Sequence, residues 1–551
     1  MNLGNIFCRI GIIALLILTI LGLFWVYQIR QYTVLNPAIF PGPGDVTANP
    51  TPGRTGPYDV CTYDYDFSPV EDQWGKGRIY VPILEDEQCE NAQRGNAFVT
   101  NRDFNLVIIA HADGQGPIAD AHLNYSALAN HLASNALIVV SINRYALQSS
   151  GGAIDIIEQV LENHLNYLYD ESPVRNVITN NVGLIGHSAG GRAMIRAAYV
   201  VDDLNKNLRA VALMAPTISL NETTSFDGIA NGFLGIQITE DSDFNAYGGK
   251  AEHQIMSSVF KIYDEVGVNP GNANTFGIEK DMLYVQMETV VPGGSHYFQN
   301  QPFTLAYINA FMQLHLNHHN IFRRFLKYQE RPPSLNLAQV PNIWQQHEDL
   351  SRLTLADFQN GDISENTLGG DIEFSNLTIT NQQVAEAHLI DPFSPHHSQV
   401  LSFETDVSIS PNAEKRVTFH LPAPTSLNAY AYIGFRITQV YHPDENPSGS
   451  PINFAVEIAS TGGTTSRQVS DHGGLLPFPA VLSAPVNPPN SAPEVNQSNG
   501  QTKNAMRSYL IRLSAFEGID LAQVQSVSID FTDVVAADVH LILDDVAFYG
   551  F

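Results

Sequence analysis

Between Tyr58 and Leu326 the chain repeats one pattern, a short uncharged run followed by a helical stretch. "LVIIAH" precedes a helix through "SALANHLAS", and "ALIVVSI" precedes a helical stretch from Ile154 to Tyr169. "NVGLIGHS", "RAVALMAP", "LGIQITE" and "MLYVQME" follow, and "PFTLAYINAFMQLHLNHHNIFRRFL" closes the series as the last helix. Strands with no polar alternation are buried on both faces. Separated by helices, they predict a mostly parallel sheet covered on both sides.

One core cannot absorb the whole chain of 551 residues, since domains rarely grow much beyond about 250. The texture changes after a Pro-containing stretch, "KYQERPPSLNLAQVPN". From Leu353 onward, "YIGFRITQV", "NFAVEIAS", "SYLIRLS" and "SVSIDFTD" put alternate residues on one apolar face, between clusters of Pro, Gly, Asn and Ser. That pattern predicts an all-β sandwich over 353–551. The divisions are then 1–30, a Pro/Gly-rich tether over 31–57, an α/β domain over 58–330, a linker over 331–352, and the sandwich.

Ile10 to Ile29 is an uncharged apolar segment bounded by Arg9 and Arg30, long enough to span a bilayer. Its aromatic end, "FWVYQI", suits a membrane interface, so an uncleaved anchor is expected, with secretion after signal cleavage as the alternative. The rest of the chain then faces the extracytoplasmic side. Lys and Arg number 28 against 56 Asp and Glu, for a net charge of −28. A surface that repels phosphate excludes nucleic acid as a partner. Outside the anchor region only Cys61 and Cys89 remain, and a bridge between them fits an oxidising compartment.

Gly186-His187-Ser188-Ala189-Gly190 satisfies G-x-S-x-G at the junction of a predicted strand and helix. Small neighbours let a strand and a helix meet closely around an exposed serine, so Ser188 is the candidate nucleophile. A serine hydroxyl needs an imidazole to accept its proton. His296, in "VPGGSHYFQNQPF", lies after the last strand run and before the last helix, whereas His315, His318 and His319 fall in that helix or at its end. A carboxylate must orient the imidazole. Asp243, just past "LGIQITE", is the choice, with Asp241 as its alternative. The order Ser188, Asp243, His296 is that of α/β hydrolases. Backbone donors for a tetrahedral oxyanion are expected at Ala189 and at Asp113, or less favourably Ala112, in the loop "HADGQGP".

These segments resemble a known family. The turn at Ser188, the "HADG" loop, "LANHLASNALIVVSI" and "GGSHYF" are similar to dienelactone-hydrolase-like esterases, including platelet-activating-factor acetylhydrolases and cutinase-type polyester hydrolases. The resemblance spans Gly56 to Leu326 and implies a serine ester hydrolase of the α/β-hydrolase fold with no cofactor for catalysis. Two departures stand out: Ala112 and Asp113 replace residues that are often glycine and an apolar or aromatic residue. No tryptophan lies between Trp74 and Trp344 to supply those that polyesterases place near the acid loop. The C-terminal segments "LADFQNGDISENTLGG" and "VHLILDDVAFYGF" resemble jelly-roll carbohydrate-binding or galactose-binding-like domains. That resemblance implies a structural calcium at Asp544 or Asp545, and a sugar stacked on aromatics such as Tyr430, Tyr432 and Tyr441.

The expected activity is hydrolysis of small or medium acyl esters, including lipid-like ones, by a membrane-tethered enzyme. The alternatives are a carbohydrate-binding or adhesion protein on a hydrolase scaffold, and a serine peptidase of the same fold.

Overall fold

The computed structural model describes residues 52–67, 74–83, 89, 102–112, 118–144, 155–216, 232–238, 281–287, 297–326, 343–348, 352–358, 363–385, 399–405, 413–439, 451–472, 474–475, 507–534 and 539–550. The apolar segment Ile10 to Ile29 lies outside them. Among the described residues no helix is long and apolar enough to cross a membrane.

The first sheet has nine strands: β1 (Asp59–Asp66), β2 (Lys76–Ile83), β3 (Phe104–Ala110), β4 (Leu137–Ile142), β5 (Ile178–His187), β6 (Asn207–Met214), β7 (Gly232–Ile238), β8 (Asp281–Met287) and β9 (Ile343–Glu348). Their spatial order is β1-β2-β4-β3-β5-β6-β7-β8-β9. The six strands from β4 to β8 in that order run parallel. β1, β2 and β9 are antiparallel to their neighbours. Among the described residues the longer helices that accompany the sheet are α1 (Ser126–Ser134), α2 (Asp155–Asn166), α3 (Ala189–Asp203) and α4 (Pro302–His315).

The period of two along each strand sorts the core into two layers. Leu106, Ile108, Ile138, Val140 and Leu184 pack with Leu161 of α2 and Met194 and Val201 of α3. Val107, Ile109, Leu137, Val139 and Ile185 pack with Leu128 and Leu132 of α1 and Phe303, Tyr307 and Phe311 of α4. Because each strand serves both layers, its sequence reads as a continuous apolar run. Proline at the first position of α4 is pre-set for the helix and has no amide to leave unpaired. That helix stops at His315, and His318 adopts φ 55° beyond it.

The chain before β1 is held to the sheet layer. His131 Nε2 and Asn309 Nδ2 both reach the carbonyl of Pro52, at 2.8 and 3.0 Å. The amide of Gly56 donates to Ser134 Oγ at 2.9 Å. A Cβ at Gly56 would stand 1.9 Å from the Ser134 carbonyl oxygen, so only glycine passes there. Cys61 in β1 is disulfide-bonded to Cys89, 28 positions on.

At the far edge, the structure departs from the sequence reading. Residues 343–348, expected within the linker, form β9 and pair with β8 from Met287↔Ile343 to Met282↔Glu348. An edge strand bonds through its backbone on one side only and needs no long apolar run, so "IWQQHE" among prolines and glutamines does not announce itself.

The described residues from 352 onward form a β-sandwich. The strands β10 (Arg352–Ala356), β12 (Leu377–Ala385), β13 (Gln399–Thr405), β15 (Tyr432–Gln439), β18 (Arg507–Arg512) and β20 (Val539–Tyr549) form one sheet, ordered β12-β13-β20-β15-β18 with β10 paired to β20. β11 (Ile372–Ser375), β14 (Arg416–Thr425), β16 (Ala455–Ser460), β17 (Gly463–Gln468) and β19 (Val524–Asp530) form the other, ordered β11-β14-β19-β16-β17. Phe403, Phe419, Phe435, Phe454, Val527, Phe531 and Phe548 fill the space between them.

The two carboxylates that the sequence suggests for calcium have other partners. Neighbouring residues of a strand normally face opposite sides, but β20 carries an extra residue opposite β15, and Asp545 takes φ 49°. Both side chains thereby meet Arg436: Asp544 through Nη2, and Asp545 2.7 Å from Nε. Arg352 reaches Asp545 from β10 at 3.2 Å. Asp544 and Arg436 are at most 1% exposed. The donor set does not fit a cation, because the charge of both carboxylates is already met by guanidinium groups. Tyr432, a candidate for stacking on a sugar, is buried against Ala547 and Tyr549. Tyr430 is half-buried beside Phe548, and Tyr441 lies outside the described residues.

Candidate active site

The parallel strands bring their C-terminal ends to one edge of the sheet, and every candidate residue follows such an end. Ala112 follows β3, Ser188 follows β5, Asp243 lies beyond β7, and His296 lies beyond β8. Asp113, Asp241, Asp243 and His296 are outside the described residues. Ser188, Ala189 and Ala112 are within them, as is Tyr297, which follows His296 directly.

Ser188 is the single residue between β5 and α3, with φ 55° and ψ −124°. A non-glycine residue with positive φ is uncommon and costs roughly 1–3 kcal/mol, a strain that persists only where the surroundings impose it. Here they do. The Ser188 amide donates to the Met214 carbonyl at the end of β6, at 2.9 Å, while its own carbonyl accepts from Gly191 at 2.8 Å. A Cβ on Gly190 would sit 2.5 Å from the carbonyl oxygens of both Ala110 and His111, so the start of α3 lies directly on the end of β3. The glycines of the motif thus answer the need for backbone contact. Ala189, first in its helix, has no carbonyl one turn earlier in that helix for its amide, which leaves the N–H open to an anionic oxygen.

The residue before the serine is fully buried and central to the site. His187 Nδ1 lies 2.7 Å from the Tyr125 hydroxyl, and that hydroxyl accepts the Ala112 amide at 2.9 Å. The His187 ring also meets the edges of Tyr297 and Phe298, with centroids 6.0 and 5.5 Å away. Tyr297, the residue after His296 in the chain, thus touches His187, the residue before Ser188. Since the Ala112 amide is taken by Tyr125, the less favoured oxyanion donor of the sequence reading is already engaged.

The loop after β3 is clamped from the other flank. His111 Nδ1 lies 2.8 Å from the Ala112 carbonyl, and its Nε2 accepts the Arg144 amide at 3.1 Å. Arg144 Nε donates to the His111 carbonyl at 2.5 Å. The Ala112 carbonyl can only accept, which puts a proton on Nδ1, and burial pushes the imidazole down to about 3, so His111 is neutral. Sequence reasoning places His111 only at the start of the "HADG" loop and does not find Tyr125 or Arg144, because each acts on residues brought close by the sheet.

No protein-family model matches the chain, and no curated protein does. Among solved structures, an exo-beta-agarase is similar at 12% identity over 36% of this chain and 25% of that chain, with a TM-score of 0.24. A likeness of that size carries no argument about fold or function.

Proposed function

We propose that the chain is a serine carboxylic-ester hydrolase of the α/β-hydrolase fold, acting on small or medium acyl esters. The observation that carries this reading is the setting of Ser188: a positive φ on the turn from β5 to α3, next in the chain to His187, whose ring meets that of Tyr297. The run of six parallel strands from β4 to β8 agrees with it.

In the proposed reaction, His296 takes the Ser188 proton as Oγ attacks the ester carbonyl, and Asp243 holds the imidazole in its productive tautomer. The amides of Ala189 and Asp113 receive the oxyanion. The alcohol leaves with the proton from His296, and the same imidazole activates water to free the acid. The chemistry of these groups asks for no cofactor. The disulfide suits an oxidising, extracytoplasmic setting, with Ile10 to Ile29 as the tether.

A fluorophosphonate should label Ser188 in the folded protein, and p-nitrophenyl acyl esters should turn over faster than peptide substrates. Full hydrolysis by Ser188→Ala would overturn the reading.

A further inference from the structure

We infer that Tyr125 is a positioning residue whose single hydroxyl locks the oxyanion loop to the nucleophile turn. The inference rests on the esterase reading above. The Ala112 amide can only donate, so the Tyr125 oxygen accepts it at 2.9 Å. The same hydroxyl meets His187 Nδ1 at 2.7 Å, so one oxygen, which can both donate and accept, holds both partners. Tyr125 and His187 are fully buried, and so is Ala112.

The two ends of this bridge sit one residue before the two groups that must cooperate. Ala112 precedes Asp113, the proposed oxyanion donor, and His187 precedes Ser188. The partners lie 13 and 62 positions from Tyr125, so the hydroxyl joins segments that meet only through the sheet. A tetrahedral intermediate needs its oxyanion donor and its nucleophile at a fixed separation. A shift of about 1 Å can cost on the order of a hundredfold in rate. Removing the hydroxyl while keeping the ring should loosen that separation and leave substrate binding alone.

The test uses the full chain and p-nitrophenyl acetate. Tyr125→Phe should lower kcat about tenfold to a hundredfold with KM within about twofold, and slow fluorophosphonate labelling of Ser188 in parallel. His187→Asn, whose side-chain amide can hydrogen-bond near the Nδ1 position, should retain several-fold more kcat than His187→Leu. A folded Tyr125→Phe protein with wild-type kcat would overturn the inference and leave the esterase reading intact. If Tyr125→Phe does not fold, equal kcat in the two His187 variants would overturn it instead. If Ser188 in the wild-type protein takes no label, the esterase reading fails and the inference goes with it.

Discussion

Arg436 and Asp545 face each other 2.7 Å apart on β15 and β20, and Asp544 shares the same guanidinium. Removing one side of a buried ion pair usually costs about 3–5 kcal/mol, because the remaining charge keeps its desolvation penalty. Arg436→Leu removes the guanidinium that both buried carboxylates face, so a large fall in the melting temperature of the sandwich is expected by calorimetry. Neither calcium nor a chelator should move the wild-type transition. A rise in melting temperature on adding calcium would show that these carboxylates prefer a metal to arginine.

Gly190→Ala is a change that helix propensity alone would favour by about 1 kcal/mol. The contact with the Ala110 and His111 carbonyls reverses the sign, since a Cβ 2.5 Å from two backbone oxygens must push α3 off β3. Destabilisation of about 1–3 kcal/mol in urea is expected, with a marked loss of Ser188 labelling. An unchanged midpoint and rate would mean that the turn tolerates a methyl group.

Acid should act on the fold through histidines that are buried and neutral. Burial pushes His111 and His164 down to about 3 and His122 to about 4. These pKa values are depressed, so the unfolded chain binds protons first, below the ordinary histidine value of about 6.5. The stability they contribute is complete above that pH and is lost progressively as the pH falls toward 3–4. Denaturation midpoints between pH 7 and 4 should therefore decline steadily. The proposed base, His296, predicts a separate and reversible loss of hydrolysis through roughly pH 6–7, where circular dichroism remains native. A rate that stays flat to about pH 4 would remove His296 from that role.

The bond between Cys61 and Cys89 closes a loop with a separation of 28 residues, worth about 3–4 kcal/mol in the chain-entropy model. Cys61→Ser should lower the unfolding free energy by that order while Ser188 remains reactive. Equal stability of the oxidised and reduced wild-type proteins would show that native strain cancels the gain.

What the sequence revealed depended on how local each signal was. β3 to β6 were legible because burial on two faces leaves no polar alternation, as in Leu106 to Ala110. The serine turn was legible because its glycines are adjacent in the chain. β9 was not, since edge pairing imposes little on residues 343–348. The resemblance put a calcium at Asp544 or Asp545, and Arg436, 108 positions before Asp544, cannot be placed beside them without the sheet register. The Tyr125 bridge escaped for the same reason.

β9 ends at Glu348 and β10 begins at Arg352, so three residues connect a strand of the first sheet to a strand of the sandwich. Fully extended, so short a connection reaches only about 10–14 Å. A connection that short keeps the two units from drifting apart, so the proposed esterase would act close to any surface that the sandwich meets.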